Sequence, residues 1–275
     1  MHERLAQLSS AGLVAFILGA SSAWAQTAPP LGQAASFAVL GASAVTNTGP
    51  SVVNGDLGIS PNTASSITGF PPGTVVGTTQ AGNAVALQAQ NDTTTAYINL
   101  ASQALTLDLT GTDLGGLTLT PGVYRFSTSA QLTGTLTLNA LGNPNAVWVF
   151  QIGSTLTTAS ASSVVMINGG SPCNVFWQVG SSATLGTTTS FAGNILALAS
   201  ITLNTGANAT GRTLARTGAV TLGSNNVGGC SAVLPPPPPP GAGAGGVPTL
   251  SEWAMIIMTM LLALTGFAAL RRRNV

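Results

Sequence analysis

The sequence has no lysine and only one histidine, His2; 5% of its 275 residues are charged and the formal net charge is +1. Seven cationic residues scattered along the chain cannot form the phosphate-neutralising patch that nucleic acid requires, so nucleic acid is excluded as a partner. A typical soluble domain is roughly a quarter charged, which places this chain outside the ordinary cytosolic range. Disorder is excluded as well, because the mean hydropathy is +0.43 and a disordered chain should be polar and charged. Between residues 26 and 234 the acids are Asp56, Asp92, Asp108 and Asp113, and the bases are Arg125, Arg212 and Arg216. A serine or cysteine nucleophile there would lack its usual base. A zinc site would lack ligands. Asp108 and Asp113 lie in DLTGTDLGG, where a glycosidase pair or a calcium loop competes with plain turn chemistry, and the turn is favoured. Arg212 and Arg216, in TGRTLAR, are expected to satisfy local carbonyls or a carboxylate. The expectation is a binding or structural surface, not an enzyme, with no metal and no cofactor.

Both ends read as addresses. Residues 1–25 combine Arg4, a short apolar core and the small pair Ala23 and Ala25 around Trp24, the pattern of a secretory signal peptide. Residues 235–246 are six prolines followed by a Gly/Ala run, a polyproline II spacer with a flexible joint. Residues 247–275 contain VPTLSEW, the apolar stretch 254–270 and three arginines. That stretch is close to the minimum of about 17 residues for a membrane-spanning helix, and the arginines should remain cytoplasmic. Pro248, Thr249, Leu250, Trp253, Arg271, Arg272 and Arg273 resemble the IPTL-CTERM sorting signal, with Val247 in place of the usual Ile. The resemblance implies an exosortase-like processing enzyme as partner, a membrane contact before any cleavage, and delivery to the envelope or exterior of a Gram-negative cell.

The body, 26–234, is rich in Thr, Ser, Ala, Gly and β-branched residues. Short alternating segments such as LTGTLTL, VWVFQI and VFWQV signal strands. Val179, Ala197 and Ala215 recur 18 positions apart, as do Ser182, Ser200 and Gly218. That period suits a three-sided coil with about six residues per side. The repeat fades upstream of about residue 150. Segments 205–208 and 210–213 look like coil corners opened by glycine. One helix is expected over residues 81–105, with Val85, Ala89, Ala96, Leu100 and Ala104 on its apolar face. Cys173 and Cys230, an isolated pair in an exported chain, are expected to form a disulfide.

The body resembles the ice-binding-protein-like family through LGQAASFAVLGASAVTNTG, GDLGISP, LTLTPGVYRF, VFWQVGSSATLGTTTSFAGNILA and TGRTLARTGAVTL. The resemblance implies a mainly β fold, an irregular three-faced right-handed β-solenoid with one long α-helix alongside. It also implies an ice crystal surface as the partner of one flat face. The 18-residue register nominates that face. In ATL, ITL and AVTL, Thr184, Thr202 and Thr221 should point outward as one rank. Gly186, Asn204 and Gly223 would form the neighbouring rank, Thr155 and Thr157 would extend it, and Ser43 and Thr46 would add an N-terminal strand. Outward residues i and i+2 stand about 6.7 Å apart and coils about 4.8 Å apart, a grid able to hold ordered water. The rival reading is a non-ice adhesin or matrix scaffold on the same fold.

Overall fold

The computed structural model describes residues 26–230. Within them the chain winds into coils that contribute in turn to three parallel sheets of nine, seven and eight strands, named A, B and C in that order. One coil runs through Val175–Val179, Ala183–Leu185 and Ser190–Ala192, the next through Asn194–Ala197, Ile201–Leu203 and Asn208–Thr210. Val179 pairs with Ala197 and Ala197 with Ala215, in the expected register. Upstream, Ile152 pairs with Val179, a step of 27. Most of the extra residues fall between strands, at 140–147 and 168–174, where the chain passes from sheet C to sheet A. The strands keep their register while the corners lengthen, so the repeat fades from the sequence although the coils continue.

The stacking order departs from chain order. The first strand, Phe37–Gly41, pairs with Thr213–Ala215, so the opening coils sit on the closing ones. Strand Thr79–Ala81 ends one edge of sheet A and Leu107–Asp108 the other. The helix Ala84–Ala101, α1, carries the chain between those edges. Asn83 caps it, its Oδ1 accepting from Ala86 N at 3.0 Å, which satisfies one of the free N–H groups of the first turn. The helix is shorter than the expected 81–105, because Ala81 closes a strand and the turn after Ala101 is irregular. Its buried face holds Ala86, Ala89, Gln90, Thr93, Ala96 and Leu100. Val85 and Ala104, assigned to that face from their spacing, are exposed. Gln90 lies there instead, its Nε2 donating to Gly41 O and Ala215 O, both at 3.0 Å.

α1 explains why strands of sheet A read as unbroken apolar runs. Phe37, Leu40, Val149, Phe176, Leu196 and Leu214 face it and pack with Ala89, Ala96 and Leu100. A sheet buried on both sides loses its alternation. The inward residues of all three sheets form the main core. Within it Tyr124, Phe150 and Trp177 stack in sequence and Phe191 lies tilted against Trp177, with centroids 5.5, 3.9 and 4.9 Å apart, an arrangement that adds to burial energy.

Corners are set by backbone conformation. At the passage from sheet B to sheet C, Gly134, Ala161, Thr188, Gly206, Ser224 and Gly49 all have positive φ. At the passage from C to A, a Cβ on Gly211 would stand 2.0 Å from Gly193 O, so only glycine permits the coils to close up there. Cys173 and Cys230 form a disulfide across 57 positions. It fastens the loop before Val175 to the end of the last coil. Arg212, 4% exposed, braces the same corner. Its Nε and one terminal nitrogen donate to Ala35 O at 3.1 and 2.6 Å, the other terminal nitrogen to Asn194 Oδ1 at 2.8 Å, and it also reaches Cys230 O. Burial pulls its pKa down to about 10, which leaves the cation intact at neutral pH. Arg216 lies over the Tyr97 ring, 4.5 Å from its centroid.

Residues 1–25 and 231–275, which carry the expected signal peptide, spacer, sorting residues and stretch 254–270, lie outside the described residues. Among the described residues no helix is long and apolar enough to cross a membrane.

Candidate functional site

Sheet B is the face to build from. Its strands Ala130–Leu132, Leu156–Thr158, Ala183–Leu185, Ile201–Leu203, Val220–Gly223, Val45–Thr48 and Ile67–Thr68 carry no charged residue. Their first residues Ala130, Leu156, Ala183, Ile201, Val220 and Val45 are buried, so period-2 alternation turns the next residue outward. The paired residues then run in one line: Gln131 to Thr157, Thr157 to Thr184, Thr184 to Thr202, Thr202 to Thr221, Thr221 to Thr46, Thr46 to Thr68. Every member of the rank is at least partly exposed. At about 4.8 Å per coil the rank is about 29 Å long. Thr46 Oγ1 donates to Thr221 Oγ1 at 3.3 Å.

The structure therefore brings Thr157, Thr184, Thr202, Thr221 and Thr46 together. It adds Gln131 and Thr68, which the sequence reading missed. Both were findable: Gln131 sits in AQL, a copy of ATL with one residue changed, and Thr68 follows Ser66-Ile67 as Thr46 follows Ala44-Val45. Thr155 belongs to a second line just before the strands, with Ser129, Ser182, Ser200, Ala219 and Ala44, whose carbonyls and amides continue the ladder. Here hydroxyls bond inside the protein: Thr155 Oγ1 to Ser129 Oγ at 2.8 Å, Ser200 N to Ser182 Oγ at 3.2 Å, Ala219 N to Ser200 Oγ at 3.2 Å.

The other side of the rank is less regular. Asn204 is exposed and Gly223 partly so, with Thr48 paired to Gly223. Gly186 is buried; a Cβ there would stand 2.6 Å from the Thr158 carbonyl oxygen. It cannot present a surface, because the preceding coil lies on it. Ser43 belongs to neither line. It sits at the corner before Val45, its N bonded to Gly218 O at 3.1 Å and its O to Asn62 Nδ2 at 2.7 Å.

Asp108 and Asp113 serve turns, and Asp113, exposed and bridged to Gln131, stands one rung beyond the end of the rank. Asp108 Oδ1 accepts from Thr110 N at 2.8 Å, and the hydroxyl and N–H of Thr110 hold its pKa below the usual range. For Asp113 burial pushes upward, but the Gly115 N–H and Thr133 outweigh it and the net shift is down. Its Oδ1 accepts from Gly115 N at 2.7 Å and Thr133 N at 2.9 Å. No cluster of metal-ligating side chains occurs among the described residues.

The model of the Ice-binding-like family matches residues 39–228. The chain belongs to the Ice-binding-like family. A relative from Nostoc sp. (strain HG1), named ice-binding protein, is 62% identical over 78% of this chain and 79% of its own length. An ice-binding protein structure from an Antarctic biological consortium superposes with TM-score 0.72 at 48% identity, covering 74% of this chain and 92% of that one. The ice-binding protein of the Antarctic ascomycete Antarctomyces psychrotrophicus superposes with TM-score 0.71 at 44% identity, covering 73% and 98%. The IPTL-CTERM motif matches residues 246–273, which include Pro248, Thr249, Leu250, Trp253 and Arg271 to Arg273. That motif indicates an exported, surface-sorted protein of a Gram-negative bacterium.

Proposed function

We propose that this protein adsorbs to ice through sheet B and thereby limits crystal growth and recrystallisation. The observation that carries the proposal is the unbroken rank from Gln131 to Thr68, in register across seven coils and free of charge. Ice offers no counter-ion, so a charged face would be desolvated without return. Many weak contacts suffice when the grid is already rigid and little ordering entropy is lost on binding. Sheet A is occupied by α1. Sheet C mixes Thr135, Ser163, Ser190, Asn208, Asn226 and Val52 in its outward line, a less uniform array. The contact residues on this reading are Thr157, Thr184, Thr202, Thr221 and Thr46, with Asn204 and Gly223 beside them and Thr155 stiffening the edge.

The protein acts by adsorption, not catalysis, and uses no cofactor. A signal peptide at 1–25 exports it, the spacer 235–246 holds the body off the envelope, and the apolar stretch 254–270 retains the chain at the membrane until an exosortase-like enzyme acts on the sorting signal. The relatives described above all bear ice-binding names, which gives the adhesin or scaffold reading no support. The deciding experiment is Thr202→Tyr, assayed for recrystallisation inhibition and crystal shaping. A bulky ring at the centre of the rank should lower activity by about tenfold or more at an unchanged melting temperature. Full activity in that variant would remove sheet B as the ice-contacting face.

A further inference from the structure

Beside the C-terminal half of α1, at the edge where sheet A turns toward sheet B, lies an open groove of about 420 Å³. Tyr97, Arg125, Ser127, Gln151 and Gln178 line it. Arg125, Gln151 and Gln178 are successive rungs of one outward line on sheet A. Helix α1 covers the next rungs with apolar contacts, and of these three only Gln151 is hydrogen-bonded to its last residues.

Two features set the groove apart. Asp56, Asp92, Asp108, Asp113, Arg212 and Arg216 all make side-chain hydrogen bonds. Arg125, exposed at the mouth, makes none among the described residues. Gln178 is 8% exposed, and its amide also has no hydrogen-bond partner among the described residues. Solvent reaches that amide through the groove, so it is open to a ligand. Gln151 differs in part: its Nε2 is consumed by Leu100 O at 2.8 Å and Gln103 O at 2.9 Å, closing the end of α1, while its Oε1 accepts from no described group.

We propose that this groove binds a uronate unit of an acidic polysaccharide, with the Arg125 guanidinium on the sugar carboxylate and the Gln178 amide on a neighbouring hydroxyl. Arginine matches a planar carboxylate with two parallel N–H donors. An amide that can donate and accept suits a hydroxyl, which does both. Gln151 Oε1 takes a second hydroxyl proton. One cation with Asp108 as its rung neighbour fits a singly charged group better than a phosphate dianion. The volume suits one or two sugar rings, since small-ligand sites begin at about 300 Å³. The groove opens on the helix-bearing side of the corner between sheets A and B, and no residue of the threonine rank lines it, so ice and a hydrated polymer matrix can be held together. This proposal does not depend on the ice reading.

The test is calorimetric titration of the purified full chain with tri-galacturonate, galacturonate, acetate and maltotriose. Tri-galacturonate should bind saturably and the single sugar more weakly. Arg125→Gln and Gln178→Leu should each weaken binding by about tenfold, equal to about 1.4 kcal/mol. Arg125→Lys should retain part of it. The melting temperature, measured on the same samples, should be unchanged, which certifies the fold, and unchanged recrystallisation inhibition separates this site from the ice face. Absence of saturation at about 10 mM, where a site weaker than about −3 kcal/mol would lie, overturns the proposal. So does maltotriose binding as well as the acid, acetate matching galacturonate, or indifference to Arg125→Gln.

Discussion

Thr188 and Ala161 are alike in backbone and unlike in sequence context. Each turns its coil from sheet B to sheet C with φ near +57° and +58°, where neighbouring coils use Gly134 and Gly206. A side chain in that conformation costs about 1–2 kcal/mol, partly offset by the greater unfolded-state freedom of glycine. Ala161→Gly should therefore raise stability by about 0.5–1 kcal/mol in chemical denaturation; a loss would mean the methyl makes a packing contribution larger than its strain. The titratable residues lead to a second expectation. Asp108 and Asp113 have folded pKa values below their unfolded ones. Their stabilisation is present above the unfolded value and lost as pH falls through the folded values. With no histidine in the described residues, the melting temperature should be flat from about pH 5 to 9 and fall below about pH 4. Ice activity should not vary across the flat range, because the threonine rank carries no titratable group.

Among elements, the three sheets share one winding and differ in what lies on them. Sheet A is closed by α1, sheet B presents hydroxyls and methyls, and sheet C presents a mixed polar line. If sheet B alone meets ice, Thr157→Tyr should resemble Thr202→Tyr, whereas Asn208→Tyr on sheet C should leave crystal shaping intact. Equal loss at Asn208 would make both sheets contact faces. α1 illustrates how far helical periodicity can be trusted. Ala89, Ala96 and Leu100 were placed on the buried face from their spacing, and they are buried. Val85 was placed there too but is exposed, since it stands in the first turn of the helix. Gln90 and Thr93 are polar and were not placed on that face, yet they are buried because the sheet below offers carbonyls to Gln90 and Ala89 O accepts from Thr93 Oγ1 at 2.8 Å.

For the whole molecule, the end of the last described coil lies inside the stack, not at its tip. Strand Asn226–Gly228 is paired on one side with Asn208–Thr210 and on the other with Val52–Asn54. Any pull on the following chain acts on a strand in the middle of sheet C, where the disulfide and Arg212 converge. Cys230→Ser should cost up to roughly 4 kcal/mol by the loop-entropy estimate, seen as a lower melting temperature. Ice activity near 0 °C should survive, because the site lies on another sheet. A melting temperature equal to the parent's would show that the other bonds at that corner suffice.

The winding, the 18-residue coils, the helix and most of the threonine rank were legible in the sequence, because period-2 alternation and coil spacing are local properties of the chain. Tertiary structure decided the rest. Which coil lies beside which depends on α1 carrying the chain back along the stack, and that alone sets Thr46 beside Thr221 across 175 positions. Burial of Gly186, the corner position of Ser43 and the enlistment of Gln131 and Thr68 depend on what the adjacent coil places against them, and no spacing within a single coil contains that information.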